Sequence, residues 1–262
     1  ASSPLAGTLS LKLADMRWGL APLQDTVGET ASLGVSFSAQ PESGSASVSD
    51  LTLKAGQLSG KGNASTDGKK LDAALSLALA SLKGIDPSLS GPLELKLHAS
   101  GPLLSPGGEL TLASPHLGVE TATLEGLRVR LNTPSVGAAG GKGTLDVAAT
   151  LRDASVKTLQ AGAPLRFSTE WQFAPDRFSL HKTKLDAPGM ALSGTLDALP
   201  AKRRLDGGFR LAVTDWAALS SLTGVPLQGS TAVANVSFSQ AKTQQLAADW
   251  SLGALSAGSF FS

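Results

Sequence analysis

The residue types that most often carry catalysis are sparse in this sequence and stand far apart. His98, His116 and His181 are its histidines, and no two of them have the H-x-x-x-H spacing of a metal-binding pair. His98 falls on the polar phase of an alternating segment, which favours a solvated surface side chain. The chain contains no cysteine, which excludes thiolate catalysis, disulfides and cysteine zinc sites.

Glycine-rich and serine-containing segments also fail as catalytic motifs. Residues 60–62 and 141–143 read G-K-G, but a phosphate-binding P-loop needs Ser or Thr after the lysine, and neither segment opens a predicted helix. Residues 34–38 read GVSFS and lack the last glycine of the G-x-S-x-G nucleophile pattern. No closely grouped carboxylates could share acid and base roles. We therefore expect no enzyme activity, no cofactor and no metal site.

Charge gives no argument for nucleic-acid binding. The net charge is +1, and charged residues make up 16% of the chain. A protein that holds nucleic acid or an anionic membrane by charge alone needs a broad basic surface. We therefore expect no nucleic-acid partner. No run of about 18 apolar residues occurs, so the sequence predicts no membrane-spanning helix within these residues.

The dominant pattern is alternation of apolar and polar residues. In residues 89–112, LSGPLELKLHASGPLLSPGGELTL, Leu93, Leu95 and Leu97 stand on every second residue. A period of two predicts a β-strand with one apolar and one polar face. Similar segments occur at residues 7–13, 32–38, 71–79, 92–98, 126–132, 143–151, 165–173, 191–199 and 207–213.

Clusters of Gly, Pro, Ser, Asn and Asp between these segments predict tight turns. The expected fold is all-β: an elongated, curled antiparallel sheet of repeated hairpins that forms a groove, with one or two short helices. Residues 215–224 predict one helix, with Asp215 as its N-cap. Residues 78–91 predict a second, which Pro87 limits.

The chain also repeats itself. An LSG triplet begins at residue 58 and another at residue 192, and each is followed after eight residues by a basic pair and Leu-Asp. We expect a single elongated domain over residues 1–262 that contains two related units, at about 45–112 and 178–240.

The predicted apolar face needs a cover, because burying each leucine is worth about 1.5–3 kcal/mol. The sheet either closes on itself or forms an open trough that takes up an apolar guest such as a lipid acyl chain. Few aromatic residues, 5% of the chain, favour the smooth lining of a trough. The predicted lining of its concave face is Leu75, Leu77, Leu79, Leu93, Leu95, Leu97, Leu127, Val129, Phe209, Leu211 and Val213.

Two long segments resemble repeats of the AsmA-like superfamily, the group of TamB- and AsmA-type periplasmic proteins. Residues 58–112 and 191–238 both run from L-S-G through L-D and a strand to a short break and further alternating leucines. The resemblance implies a curled sheet with an apolar groove that moves phospholipid between the inner and outer membranes in outer-membrane biogenesis. It also implies a periplasmic location, an inner-membrane anchor in the full-length protein and a membrane-protein partner.

Two alternatives remain open from the sequence. Residues 9–23, LSLKLADMRWGLAPL, are similar to the opening of the inner-membrane protein N of type II secretion systems, a small member of the same superfamily. This resemblance implies a secretion accessory protein. The other alternative is a structural β-repeat protein with a closed core and no guest.

Overall fold

The structure is a computed structural model, and it describes residues 4–17, 26–119, 122–155, 159–223, 227–240, 244–253 and 255–257. The chain divides into two units. The first contains Ala1–Glu120 and Arg128–Ala138, and the second contains Thr121–Leu127 and Ala139–Ser262.

Most of the described chain is β-strand. The strands up to the boundary between the units are Leu5–Leu13 (β1), Ala31–Gln40 (β2), Ser45–Ala55 (β3), Leu58–Thr66 (β4), Lys70–Leu79 (β5), Leu89–Ser90 (β6), Leu93–Pro102 (β7), Gly107–Val119 (β8) and Ala122–Gly137 (β9). Those that follow are Gly140–Asp153 (β10), Ala163–Ala174 (β11), Arg177–Ala187 (β12), Met190–Leu199 (β13), Arg204–Val213 (β14), Leu227–Gly229 (β15), Ala232–Gln240 (β16), Gln244–Leu252 (β17) and Leu255–Ala257 (β18).

Sixteen of these strands form one antiparallel sheet that is not closed. Its order is β1, β2, β3, β4, β5, β7, β8, β9, β10, β11, β12, β13, β14, β16, β17, and β6 pairs with β8. β15 and β18 form a separate pair. Strand order follows chain order because short turns join antiparallel neighbours. The predicted all-β antiparallel fold is confirmed, and all nine alternating segments fall on strands.

Two predicted breaks in the strand pattern are helical. Trp216–Thr223 forms an α-helix (α1), and the backbone N–H of Ala218 donates to Asp215 Oδ1 at 3.2 Å, which is the predicted N-cap contact. Its predicted end, Gly224, lies outside the described residues. The second break contains a single 3-10 turn at Leu82–Gly84. A further 3-10 turn at Pro200–Lys202 has no counterpart in the prediction.

A similar succession of elements occurs in both units. A hairpin, β4–β5 or β13–β14, is followed by a helical segment, a very short strand and a longer strand. The end of each hairpin is tied back to the preceding loop: Ala80 N–H donates to the Gln57 carbonyl at 3.0 Å, and Thr214 N–H donates to the Gly189 carbonyl at 2.7 Å. Ala80 and Thr214 are separated by the same interval as the two LSG triplets.

β-bulges interrupt the two-residue period in β3 and β12. At each bulge a residue other than glycine has a positive φ: Asp50 at 55° and Lys182 at 50°. The pairing of β3 with β4 moves directly from Val48 to Leu51, so both residues face the same side although they stand three apart. The pairing of β12 with β13 shifts in the same way.

Asp197 on β13 makes the stability of the second unit depend on pH. The Ser179 hydroxyl donates to its carboxylate, and Arg177 Nη2 lies 2.6 Å from the same oxygen. These contacts, the Ser179 hydrogen bond first, lower the pKa of Asp197 from its ordinary value of 3.8. A lowered folded-state pKa means that the stabilisation is present above the ordinary value and is lost as the pH falls through the lowered pKa.

We predict that Asp197→Asn lowers the melting temperature at neutral pH and that the difference from the parent protein disappears under strongly acidic conditions. Thermal unfolding followed by circular dichroism between about pH 2.5 and pH 7 measures this, because a carboxylate with a lower pKa in the folded than in the unfolded state loses its stabilising contribution as the pH falls. Ser179→Ala should move the transition to higher pH. Parallel pH profiles for the parent and Asp197→Asn would contradict the assignment.

Candidate apolar binding face

The register between strands aligns apolar residues of the first unit into rows. One row crosses seven strands and consists of Leu11, Leu33, Leu53, Gly60, Leu77, Leu95 and Leu112. The next row consists of Leu13, Ala31, Ala55, Leu58, Leu79 and Leu93. On the other side of the first row, Leu75 is opposite Leu97. Because the rows are two residues apart along each strand, they share one face of the sheet, here called the leucine face.

A row of similar length crosses the second unit. It consists of Val147, Phe167, Leu185, Leu192, Leu211, Ala234 and Trp250. The predicted residues Phe209, Leu211 and Val213 lie on β14 and share one face with this row. Leu127 and Val129 lie on β9 at alternate positions, with Leu127 in the second unit and Val129 in the first.

The structure therefore gathers six predicted residues in the first unit and three in the second. The prediction missed other members of the rows, among them Leu51 and Leu53 on β3 and Leu110 and Leu112 on β8. The leucines of β8 alternate with other residues in the sequence, so the two-residue pattern could have predicted them. Those of β3 follow a bulge, which hides the phase they share with Val48.

Glycines on β4 shape the leucine face in the first unit. A Cβ atom placed on Gly60 would lie 2.6 Å from Leu77 Cδ2, and one on Gly62 would lie 3.2 Å from Leu75 Cδ1 and 3.3 Å from Leu51 Cδ2. Leucines from β3 and β5 thus lean over a strand that contributes no side chain there. Glycine at these positions permits the close approach.

The leucine face of the first unit is covered at one end of its strands and more open elsewhere. Leu79 is 9% exposed, whereas Leu97, near the other end of the predicted cluster, is 37% exposed. At the covered end the Gln57 N–H donates to the Thr26 carbonyl at 2.9 Å, which brings the chain before β2 onto the β3–β4 loop. Among the described residues the buried apolar side chains are Ala55, Leu79, Leu82, Ala149, Leu151, Leu159, Val213 and Ala218. Most residues of the rows are only partly covered.

The opposite face of the first unit carries the polar residues. Among the described residues its ion pairs are Lys96 with Glu94 at 3.0 Å and Arg130 with Glu109 at 2.9 Å, and His98 Nε2 lies 3.7 Å from Asp72 Oδ2. These side chains are largely exposed, and such pairs contribute about 1 kcal/mol or less each. They keep this face in water rather than against a second layer.

A recess of about 730 Å³ lies over this polar face, and the sequence did not predict it. Its polar lining includes Lys61, Asn63, Ser76, Lys96 and His98. Leu75 and Leu97 also belong to the lining, but each stands between two polar-phase residues of the same strand, whereas Leu77 and Leu95 are not part of it. The sequence predicts the leucine face as the concave one, and this recess opens on the other side.

Trp171 lies on the same face of β11 as Phe167, which belongs to the row of the second unit. Its ring stacks on Phe173 with centroids 5.9 Å apart and planes 12° from parallel. Its indole Nε1 is buried without a hydrogen-bond acceptor among the described residues. An unsatisfied buried donor costs about 1–3 kcal/mol.

No family model, curated protein or solved structure matches this chain. The resemblance to the AsmA-like superfamily therefore stays a prediction. So does the likeness of residues 9–23 to a secretion protein, a segment that the structure describes only as far as Arg17.

None of the helices in the described ranges has the length and apolar character needed to cross a membrane. No group of three or more His, Asp or Glu side chains in those ranges is placed to hold a metal ion.

A pair of leucine-to-alanine changes measures how open the leucine face is. We predict that Leu79→Ala lowers the free energy of unfolding by about 2–5 kcal/mol, as for a buried leucine, and that Leu97→Ala lowers it by less than about 1.5 kcal/mol. Urea unfolding monitored by tryptophan fluorescence gives both values. Equal losses at the two positions would mean that the face is closed at Leu97.

Proposed function

We propose that this protein carries or shields phospholipid between the inner and outer membranes, with acyl chains lying on the leucine face. The observation that carries the proposal is the alignment of apolar residues into a row that crosses seven strands in each unit. Leu97 and its neighbours are only partly covered. Large apolar surface that the protein itself leaves exposed indicates an interaction site.

The chemistry of the rows suits an acyl chain rather than a compact ligand. In the first unit the row through Leu77 and Leu95 contains leucine and glycine alone, with no hydrogen-bonding side chain. Specific small-molecule sites place a few polar groups to fix orientation. A lining of similar aliphatic groups makes similar contacts with a methylene chain at many positions, so the chain can slide along it.

The free energies of transfer are consistent with both uptake and release of a lipid. A chain of about sixteen carbons, at about 0.8 kcal/mol per methylene, gains roughly 10 kcal/mol on leaving water for an apolar surface. A lipid that arrives from a bilayer leaves one apolar environment for another, so the net free energy of transfer is much smaller. The protein then holds lipid against loss to water without retaining it against a second membrane.

The open sheet favours this function over that of a structural protein with a closed core. β1 and β17 are the edges of the sheet, and apolar residues on both are exposed, including Leu9 on β1 and Trp250, which belongs to the second-unit row. The periplasmic location, the link to outer-membrane biogenesis and a membrane-protein partner rest on the resemblance to the AsmA-like superfamily.

We predict that Leu95→Asp combined with Leu211→Asp abolishes phospholipid binding while the protein stays folded. A carboxylate placed against an acyl chain costs about 2.5–3.5 kcal/mol, so each change should weaken binding by about 70-fold or more. Binding of a phospholipid with a fluorescent acyl chain, measured by energy transfer from tryptophan, tests this directly. Circular dichroism checks that the variant is folded.

The matched control is Ser76→Asp combined with Ser193→Asp. Both serines occupy the polar face, opposite Lys96 and Arg210 on neighbouring strands, so the new carboxylates gain cationic neighbours. This control should bind lipid as the parent does. Undiminished binding by the double leucine variant, or equal loss in the control, would contradict the proposal, and unfolding of the leucine variant alone would show that these positions form a closed core.

A further inference from the structure

Strand β1 is an edge of the sheet and pairs on one side with β2. Its nine residues pair with β2 in unbroken register, from Leu5 opposite Ala39 to Leu13 opposite Ala31. No described residue pairs with its other side. Edge strands of soluble proteins are usually protected by proline, by a bulge or by an inward-pointing charge. β1 has no proline, its pairing with β2 has no bulge, and Lys12 lies on the polar phase.

The large apolar residues of β1 are the most exposed part of the leucine face in the first unit. Leu5 is 62% exposed, Leu9 is 54% exposed, and Leu11 and Leu13 are each 44% exposed. Leu11 nevertheless belongs to the same row as Leu77 and is continuous with the covered part of the face. An additional strand beside β1 would cover these leucines and satisfy the free backbone groups together.

We infer that this additional strand is β1 of a second copy of the chain, paired antiparallel with Leu9 opposite Leu9. The sequence of β1, LAGTLSLKL, is nearly symmetric about that residue. On the leucine face the pairing places Leu5 opposite Leu13 and Gly7 opposite Leu11. Phe37 of β2 already leans over Gly7, with its Cζ 2.9 Å from the position of an added Cβ, so the partner's Leu11 would pack against that ring.

The polar face supports the same register. Thr8 lies opposite Ser10, and Ala6 lies opposite Lys12, so each lysine meets a small neutral residue. The two lysines stand at opposite ends of the paired strands, and no like charges are opposed. A register shifted by one residue would place leucines against the polar phase of the partner strand, which disfavours it.

Pairing through β1 makes the leucine faces of two copies continuous. A two-fold axis normal to the sheet at Leu9 reverses the strand direction, as antiparallel pairing requires, and keeps the leucine face on the same side. The row through Leu11 then continues through Gly7 of the partner strand. The dimer therefore presents a longer apolar wall than one chain does.

Single introduced cysteines test this arrangement, because the chain has no native cysteine that could form another disulfide. In Leu9→Cys the two sulfurs face each other across the axis, so mild oxidation should give a covalent dimer at least about tenfold faster than in Leu97→Cys. Leu97 is the matched control: an exposed leucine on the same face, on an interior strand. Cross-linking is read on non-reducing gels, and Leu5→Cys mixed with Leu13→Cys should also couple.

Opposite charges test the register independently of oxidation. Sedimentation should show that the parent protein dimerises at about 100 µM and that Leu9→Lys and Leu9→Glu are each monomeric, because like charges face each other. An equimolar mixture of the two variants should dimerise again.

Three outcomes would overturn the proposal. They are a monomeric parent protein at that concentration, cross-linking of Leu97→Cys as fast as that of Leu9→Cys, and self-coupling of Leu5→Cys faster than that of Leu9→Cys. The cysteine experiments remain decisive if a charged variant fails to fold.

Discussion

The register between neighbouring strands is the constraint on which this structure depends. Side chains alternate between the two faces of a strand, so a slip of one residue would move every leucine of that strand to the polar face. Short loops fix the pairing, as at Gly56, which has a φ of 55° and joins β3 to β4. The bulge at Asp50 restores the phase where the chain has one residue too many. Loops and bulges together keep the rows continuous across the sheet.

Buried residues and exposed apolar surface lie at different ends of the same strands. In the first unit the buried residues Ala55, Leu79 and Leu82 lie where a 3-10 turn and the segment before β2 meet the strand ends. In the second unit Val213 is buried where the chain turns into α1. Among the described residues the strands of the rest of the face mainly contact their neighbours in the sheet. Local packing at one end thus supports the sheet, while the apolar surface beyond it remains available.

The sequence predicted the fold better than the details of the site. Plain alternation was enough for strands such as β5 and β7, and the Asp215 N-cap marked α1. Alternation did not predict β3 and β12 because bulges break their two-residue period. It did not predict β4 because Gly60 and Gly62 occupy the apolar phase of that strand and have no hydrophobic side chain. The recess on the polar face could not be predicted, because it depends on how the sheet bends in space rather than on the order of residues.

Pairing mainly between strands that are adjacent in sequence also has a consequence for how the chain folds. Most contacts in the sheet join strands that are adjacent in sequence, as in the hairpin of β4 and β5, so few long loops must close before contacts form. Each hairpin can assemble as soon as its second strand is synthesised, using the previous strand as its template. This topology allows the sheet to grow strand by strand from β1, each new strand pairing with one that is already in place.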